Sequence, residues 1–133
     1  MVLGEKDFQQ LFLIRKHIIK NNIKTSIIAH KTVRNQNFIP YSSRNFNLSK
    51  YDKILASKVF KTLRNEKLLI KRKKIKKINL LNVKNKILKM GIKRVDYIEA
   101  LNLKSLKKAK KFNENFNIFS AFYIGSVRLI DNF

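Results

Sequence analysis

The chain has no cysteine among its 133 residues, so disulfides and thiolate metal sites are excluded. No apolar run approaches the roughly 20 residues of a membrane-spanning helix. The first residues lack a small-residue cleavage site and carry Glu5, Lys6 and Asp7 early, which argues against a signal peptide. A cytoplasmic location is therefore expected. Histidine is limited to His17 and His30, and neither has a partner at metal-ligand or triad spacing, so they are assigned no chemistry. There are no internal repeats. Acidic residues are also scarce, 8 against 31 basic ones, which leaves a net charge of +23.

Such a charge points to nucleic acid, because Lys and Arg displace counterions from phosphate backbones. Composition offers a second source. Lys, Asn and Ile, all encoded by A/T-rich codons, make up roughly four residues in ten, and only seven of the basic residues are Arg. Dedicated nucleic-acid readers favour Arg for its planar donor fork. The aromatic residues do not alternate with the basic ones as a stacking platform requires. A small basic nucleic-acid-binding protein thus stays as an alternative carried by charge alone. The apolar fraction of 44% is that of a folded chain with a modest core in one domain or slightly more.

Phe8, Leu11, Phe12, Ile18 and Ile19 recur at helical spacing and predict an amphipathic helix that stops at Asn21 and Asn22. No strand is expected ahead of it. "KTSIIAH", Lys24 to His30, reads as a buried strand. A helix followed at once by a strand is half of an α/β layer. The polar stretch Val33 to Ser49 holds the only proline, Pro40, and reads as a long connection. Ser49 is a candidate N-cap, with Asp52 in the first turn, for a helix that turns Tyr51, Ile54, Leu55, Val59 and Leu63 inward. The run Lys71 to Lys77 reads as a solvated connector or helix edge. Leu80, Val83, Ile87 and Leu88 mark another helix, closed by Gly91. "RVDYIEAL" then alternates, with Val95, Tyr97 and Glu99 on one face and Asp96, Ile98 and Ala100 on the other. "FNIFSAFYIG" and "VRLID" are two further strands, joined by a hairpin turn at Gly125-Ser126. Two helices and a small antiparallel sheet thus form an α+β module after the connection.

Two polar clusters carry possible chemistry. In "GEKDFQQ", Gly4 lets backbone N–H groups approach a ligand, the helix head adds partial positive charge, and Lys6 offers a full charge to a phosphate. Asp7 and Gln10, three apart, either face one pocket or form a capping box. In Ser42-Ser43-Arg44-Asn45, two hydroxyls and a guanidinium make an oxyanion clamp. The same residues also suit an ordinary hydrated loop.

Taken together, "LGEKDFQQLFLIRK", "YSSRNFNLS", "VDYIEALNLKSL" and "GSVRLIDN" resemble, in order and spacing, the back half of the pantoate–β-alanine ligase (pantothenate synthetase) family. The resemblance covers nearly the whole chain and is weakest through the lysine-rich middle. It implies an α/β fold: residues 1–33 as the tail end of a Rossmann-like nucleotide-binding domain, and residues 34–133 as a small α+β C-terminal lid domain. It also implies ATP-dependent joining of pantoate to β-alanine through a pantoyl-adenylate, giving pantothenate, AMP and pyrophosphate, with Mg²⁺ assisting. Gly4 and Asp7 would hold the ribose. Lys6 would meet the phosphates and the charge developing at the α-phosphoryl group, and Gln10 would bind pantoate. Val33 would reach adenine through main-chain atoms. Tyr41, Ser42, Ser43 and Arg44 would form the triphosphate loop, with Glu5 completing the ATP-binding set. Lys6 and Arg44 are the catalytic residues on this likeness, the two clusters are expected to embrace one nucleotide, and Asp7 and Gln10 serve ligand before capping.

Three departures qualify the likeness. Pro40 and Tyr41 stand where the family has a small or flexible pair, so a stiffer loop is expected. "NQNF" lacks the family's usual glycine, which bears on the turn there. The H-x-G-H signature of the family's first half is absent, so the expectation is a ligase fragment from a split, decaying or mis-started gene. Such a polypeptide is expected to be inactive and aggregation-prone alone, to need a missing N-terminal half or a complementing chain, and to dimerise, as the family usually does, through the missing domain.

Overall fold

In the computed structural model, which describes residues 1–133, the chain divides into two compact units, Met1–Val33 and Arg34–Phe133. The first unit opens with a strand, β1 (Val2–Gly4), followed by a 3-10 turn (Glu5–Asp7), helix α1 (Phe8–Lys20) and strand β2 (Ile28–His30). β1 and β2 pair in parallel, with Val2 opposite Ile28 and Gly4 opposite His30. The helix head does have a strand before it, which corrects the sequence expectation. Three residues are too few to show a period, so nothing in the pattern marked them. The same shortness corrects the second strand. Only Ile28–His30 finds ladder partners on β1, and Lys24 to Ile27 remain outside it. Ile28 is exposed rather than buried.

Helix α1 ends as expected. Asn21 donates from its backbone and its side chain to the carbonyl of His17, and Asn22 takes a left-handed φ of 50°. Its apolar stripe is only partly covered: Leu11 is buried, Phe8, Phe12 and Ile18 are half-buried, and Ile19 is 76% exposed. A helix of 13 residues is about 20 Å long, and two three-residue strands do not cover it.

The second unit contains helix α2 (Lys50–Arg72), helix α3 (Leu81–Lys89) and strands β3 (Arg94–Asn102), β4 (Phe116–Ile124) and β5 (Val127–Asn132). The strands form one antiparallel sheet in the order β3-β4-β5. Gly125 takes φ +58° between the paired residues Ile124 and Val127, as a two-residue hairpin requires. A capping box starts α2. The hydroxyl of Ser49 accepts from the Asp52 amide at 3.1 Å, and the Asp52 carboxylate accepts from the Ser49 amide at 3.0 Å. Replacing Ser49 with alanine is expected to cost about 1 kcal/mol, read as a lower urea midpoint at unchanged slope.

The buried stripe of α2 comprises Leu55, Ala56, Ser57, Val59, Phe60, Leu63 and Ile70. Tyr51 and Ile54 were expected inward but are 72% and 54% exposed. The stripe is rotated toward Ala56 and Phe60, leaving Ile54 on the far side. Val83 and Ile87 of α3 join this core, Leu80 packs against it, and Leu88 faces outward. Gly91, at φ +104°, follows the helix. Phe60 of α2 meets Phe122 of β4 with ring centroids 5.3 Å apart.

One local reading is corrected. The alternation along β3 breaks at a bulge. Val95 pairs with Phe122 and Tyr97 with Ala121, so Asp96 is the extra residue. Val95 therefore shares the core face with Ile98 and Ala100. Asp96 turns to Arg128, 2.8 Å away, whose guanidinium holds its carboxyl below the usual carboxylate range. The lysine run is a helix edge and connector, as read: Lys71 and Arg72 close α2, and the Lys71 ammonium donates to the Glu114 carbonyl at 2.6 Å and lies 4.6 Å from the Phe116 ring. No helix is long and apolar enough to cross a membrane.

Candidate functional site

Gly4 ends β1 with φ −78° and ψ 137°, an extended conformation open to any residue. A Cβ built there meets nothing within 4 Å. Neither backbone strain nor packing within the chain asks for glycine at this point. Glu5 and Lys6 are half-buried in the 3-10 turn, which winds directly into α1. Asp7 sits at the N-cap of α1 but makes no capping bond. The capping box with Gln10, one of the two readings open from sequence, does not form. Asp7 and Gln10 are exposed on the helix head, and Val33 is 55% exposed at the end of the unit.

The second cluster is more ordered than a hydrated loop. Ser42 is extended and caps a 3-10 helix (Ser43–Asn47), its hydroxyl accepting from the Arg44 amide at 3.3 Å. Ser43 and Arg44 are exposed and form no side-chain hydrogen bond or ion pair, and Tyr41 is 64% exposed.

The root of this loop is held at several points. Arg34 forms an antiparallel bridge with Pro40. The Asn35 side-chain oxygen accepts from the amides of Asn37 and Ile39, each at 3.0 Å. Ser57 of α2 donates to the Asn37 carbonyl. Ile39 and Pro40 are buried. Phe38 takes φ +68°, so a phenylalanine makes the bend where the family usually has a glycine nearby.

Asn45 is the residue whose role the sequence reading missed. Its amide nitrogen donates to the Pro40 carbonyl at 3.0 Å and ties the 3-10 helix back to the root, while its oxygen is buried without a partner. The motif SSRN contained the signal. What could not be read was that the asparagine braces the loop from inside while the serines and arginine stay on its surface.

A parallel strand–helix–strand unit, followed by an α+β unit with a braced loop that exposes hydroxyl and guanidinium donors, defines an α/β protein. The comparisons identify which one. The family model for pantoate-beta-alanine ligase matches residues 1–133, and the chain belongs to that family. A pantothenate synthetase of Francisella tularensis subsp. mediasiatica is 39% identical over the whole chain, which spans 42% of that relative. A crystal structure of pantoate-beta-alanine ligase from Francisella tularensis, complexed with beta-gamma ATP and β-alanine, superposes with a TM-score of 0.73 at 40% identity. That match covers 99% of this chain and 42% of the other. A pantothenate synthetase from Thermus thermophilus shares the fold with a TM-score of 0.87 at 22% identity, covering 99% of this chain and 48% of its own. The charge-based alternative, a nucleic-acid-binding protein, finds no support in these matches.

Proposed function

We propose that the chain supplies the C-terminal part of a pantothenate synthetase, which joins pantoate to β-alanine at the expense of ATP. Residues 1–33 are the last strand–helix–strand of a Rossmann-like nucleotide-binding domain, and residues 34–133 are its lid. In the first step a pantoate carboxylate oxygen attacks the α-phosphorus of ATP. A C–O–P linkage forms, and the bond to pyrophosphate breaks. In the second step the β-alanine amine attacks the acyl carbon, AMP leaves with the oxygen, and one amide bond forms. Adenylation thus exchanges a poor leaving group for a good one. The protein contributes positioning and charge stabilisation.

Gly4 gives the ribose room and Asp7 accepts from its hydroxyls. Lys6 meets the α-phosphoryl charge, with Glu5 beside it in the same turn. Gln10 offers its amide to pantoate, and Val33 offers main-chain atoms to adenine. Tyr41, Ser42, Ser43 and Arg44 grip the triphosphate. Asp7 and Glu5 are the carboxylates near the first cluster, and no group of three or more acidic or histidine side chains is gathered to hold a metal. Asp7 and Glu5 are the side chains that would face a Mg²⁺ ion brought in with the nucleotide, and such an ion would supply neutralisation of phosphate charge. A working assembly includes the family's H-x-G-H-bearing half, acts in the cytoplasm and is dimeric through that half.

The observation that supports this reading best is that the side chains of Asp7, Gln10, Ser43 and Arg44 stand exposed with no hydrogen bond or ion pair of their own, in a chain matched end to end by the family. A chimera tests it. These 133 residues replace the matching part of the Francisella tularensis relative. Pantothenate is expected to form with AMP and pyrophosphate released in equal amounts. A chimera that unfolds cooperatively yet makes no pantothenate, while the intact relative does, overturns the proposal.

A further inference from the structure

The motif "RLIDN" has no role in the proposed chemistry, yet its aspartate is the most deeply placed acid in the molecule. The Asp131 side chain has 0% exposure, and it holds the Arg34 guanidinium, itself 16% exposed, in a two-pronged pair. One prong joins Nη1 to Oδ2; the other joins Nη2 to Oδ1 at 3.1 Å. Oδ1 also accepts from the Asn132 amide at 2.9 Å. Arg34 donates onward to the Phe38 carbonyl at 3.3 Å. Its guanidinium lies 4.5 Å from the Phe38 ring and 4.6 Å from the Phe133 ring, and those two rings stack at 5.8 Å. Arg34, Phe38 and Pro40 are the root of the loop whose tip begins at Tyr41.

A buried ion pair is a weak source of net stability, because desolvation offsets its attraction. What a bidentate pair does supply is a fixed direction and distance. We infer that Asp131 and Arg34 are positioning residues for the phosphate-gripping loop. The pair locks the root to β5, so Ser42, Ser43 and Arg44 are already set before the nucleotide arrives. Preorganised donors of this kind need no reordering when charge develops on the phosphates. Phe38 depends on the same lock. Its left-handed backbone is costly for a bulky residue and persists only where surrounding contacts over-determine it. Arg34 supplies two of those contacts, one to the carbonyl and one to the ring. This inference rests on the proposed role of residues 41–44.

The test uses the 133-residue chain, observed by backbone amide NMR with inorganic pyrophosphate as the probe. In the wild type, the amides of Ser42, Ser43 and Arg44 are expected to shift on titration and to be as ordered as those of α2. Asp131→Asn keeps the shape but halves the fork, and is expected to weaken pyrophosphate binding by about ten- to hundredfold. Because that variant could also lower stability, the double change Arg34→Met with Asp131→Leu is the decisive one. Apolar replacement of a buried pair commonly leaves a fold as stable as before. Here it is expected to preserve the unfolding midpoint while loosening residues 41–47 and abolishing their shifts. If the double variant keeps both loop order and pyrophosphate affinity, or if the loop loosens only as far as the whole unit does, the pair is structural and the inference is overturned. If the wild-type loop is rigid but ignores pyrophosphate, the phosphate role of residues 41–44 fails first, and the pair is left as a brace with no part in binding.

Discussion

Arg44→Ala in the chimera is expected to lower kcat/KM for ATP by about 10²- to 10³-fold, and Lys6→Ala by a similar factor. Both side chains are proposed to meet phosphate charge at the moment pyrophosphate departs. An electrostatic donor removed from such a place affects the transition state far more than the ground state. Arg44 is well suited to the comparison because it is exposed and makes no ion pair, so its loss should leave folding untouched. Ser43→Ala removes one neutral donor and is expected to cost roughly tenfold. The measurement is the initial rate of pyrophosphate release at varied ATP, with thermal unfolding followed in parallel. Rates within about threefold of the parent for both Arg44→Ala and Lys6→Ala would remove these residues from the chemistry.

The largest stability effect is expected at Phe122. This ring is fully buried in the middle strand and meets Phe60 of α2 at 5.3 Å. Phe122→Ala deletes a whole ring from a closely packed core and is expected to cost about 3–5 kcal/mol. Against a typical total of about 5–15 kcal/mol, that is a large share of the margin and a clearly lower urea midpoint. Tyr51→Ala is the internal control, since Tyr51 is 72% exposed; its change is expected within about 0.5 kcal/mol. Urea unfolding of the three proteins separates the cases. A Phe122→Ala loss no greater than that of Tyr51→Ala would contradict a core built between the sheet and α2.

These contrasts show where the sequence was legible. Long elements with their own boundary chemistry could be read directly. Ser49 and Asp52 announced the start of α2, Gly91 the end of α3, and Gly125-Ser126 the hairpin. Features set by partners could not. β1 is a strand only because Ile28–His30 lies beside it, and the limits of β2 are those of β1. Tyr51 and Ile54 satisfy helical periodicity, but which flank of a stripe is covered depends on where Phe122 and its neighbours lie. The bulge at Asp96 inserts one residue into an otherwise regular alternation, and the pattern alone held no mark of it. At the candidate site, the motifs named candidate residues by family likeness. Their order in space was hidden, because the bracing comes from Asn45, Ser57 and Asp131, which lie 5, 20 and 97 positions from the groups they hold.

The left-handed phenylalanine at position 38 has one more consequence. A glycine bends a chain by local permission, and a short peptide containing it already samples the curve. Phe38 has no such licence, so its curve exists only while distant strands and helices grip it. Loop shape is thereby tied to the unit around it, and residues 34–40 are expected to lose their order only as that unit unfolds.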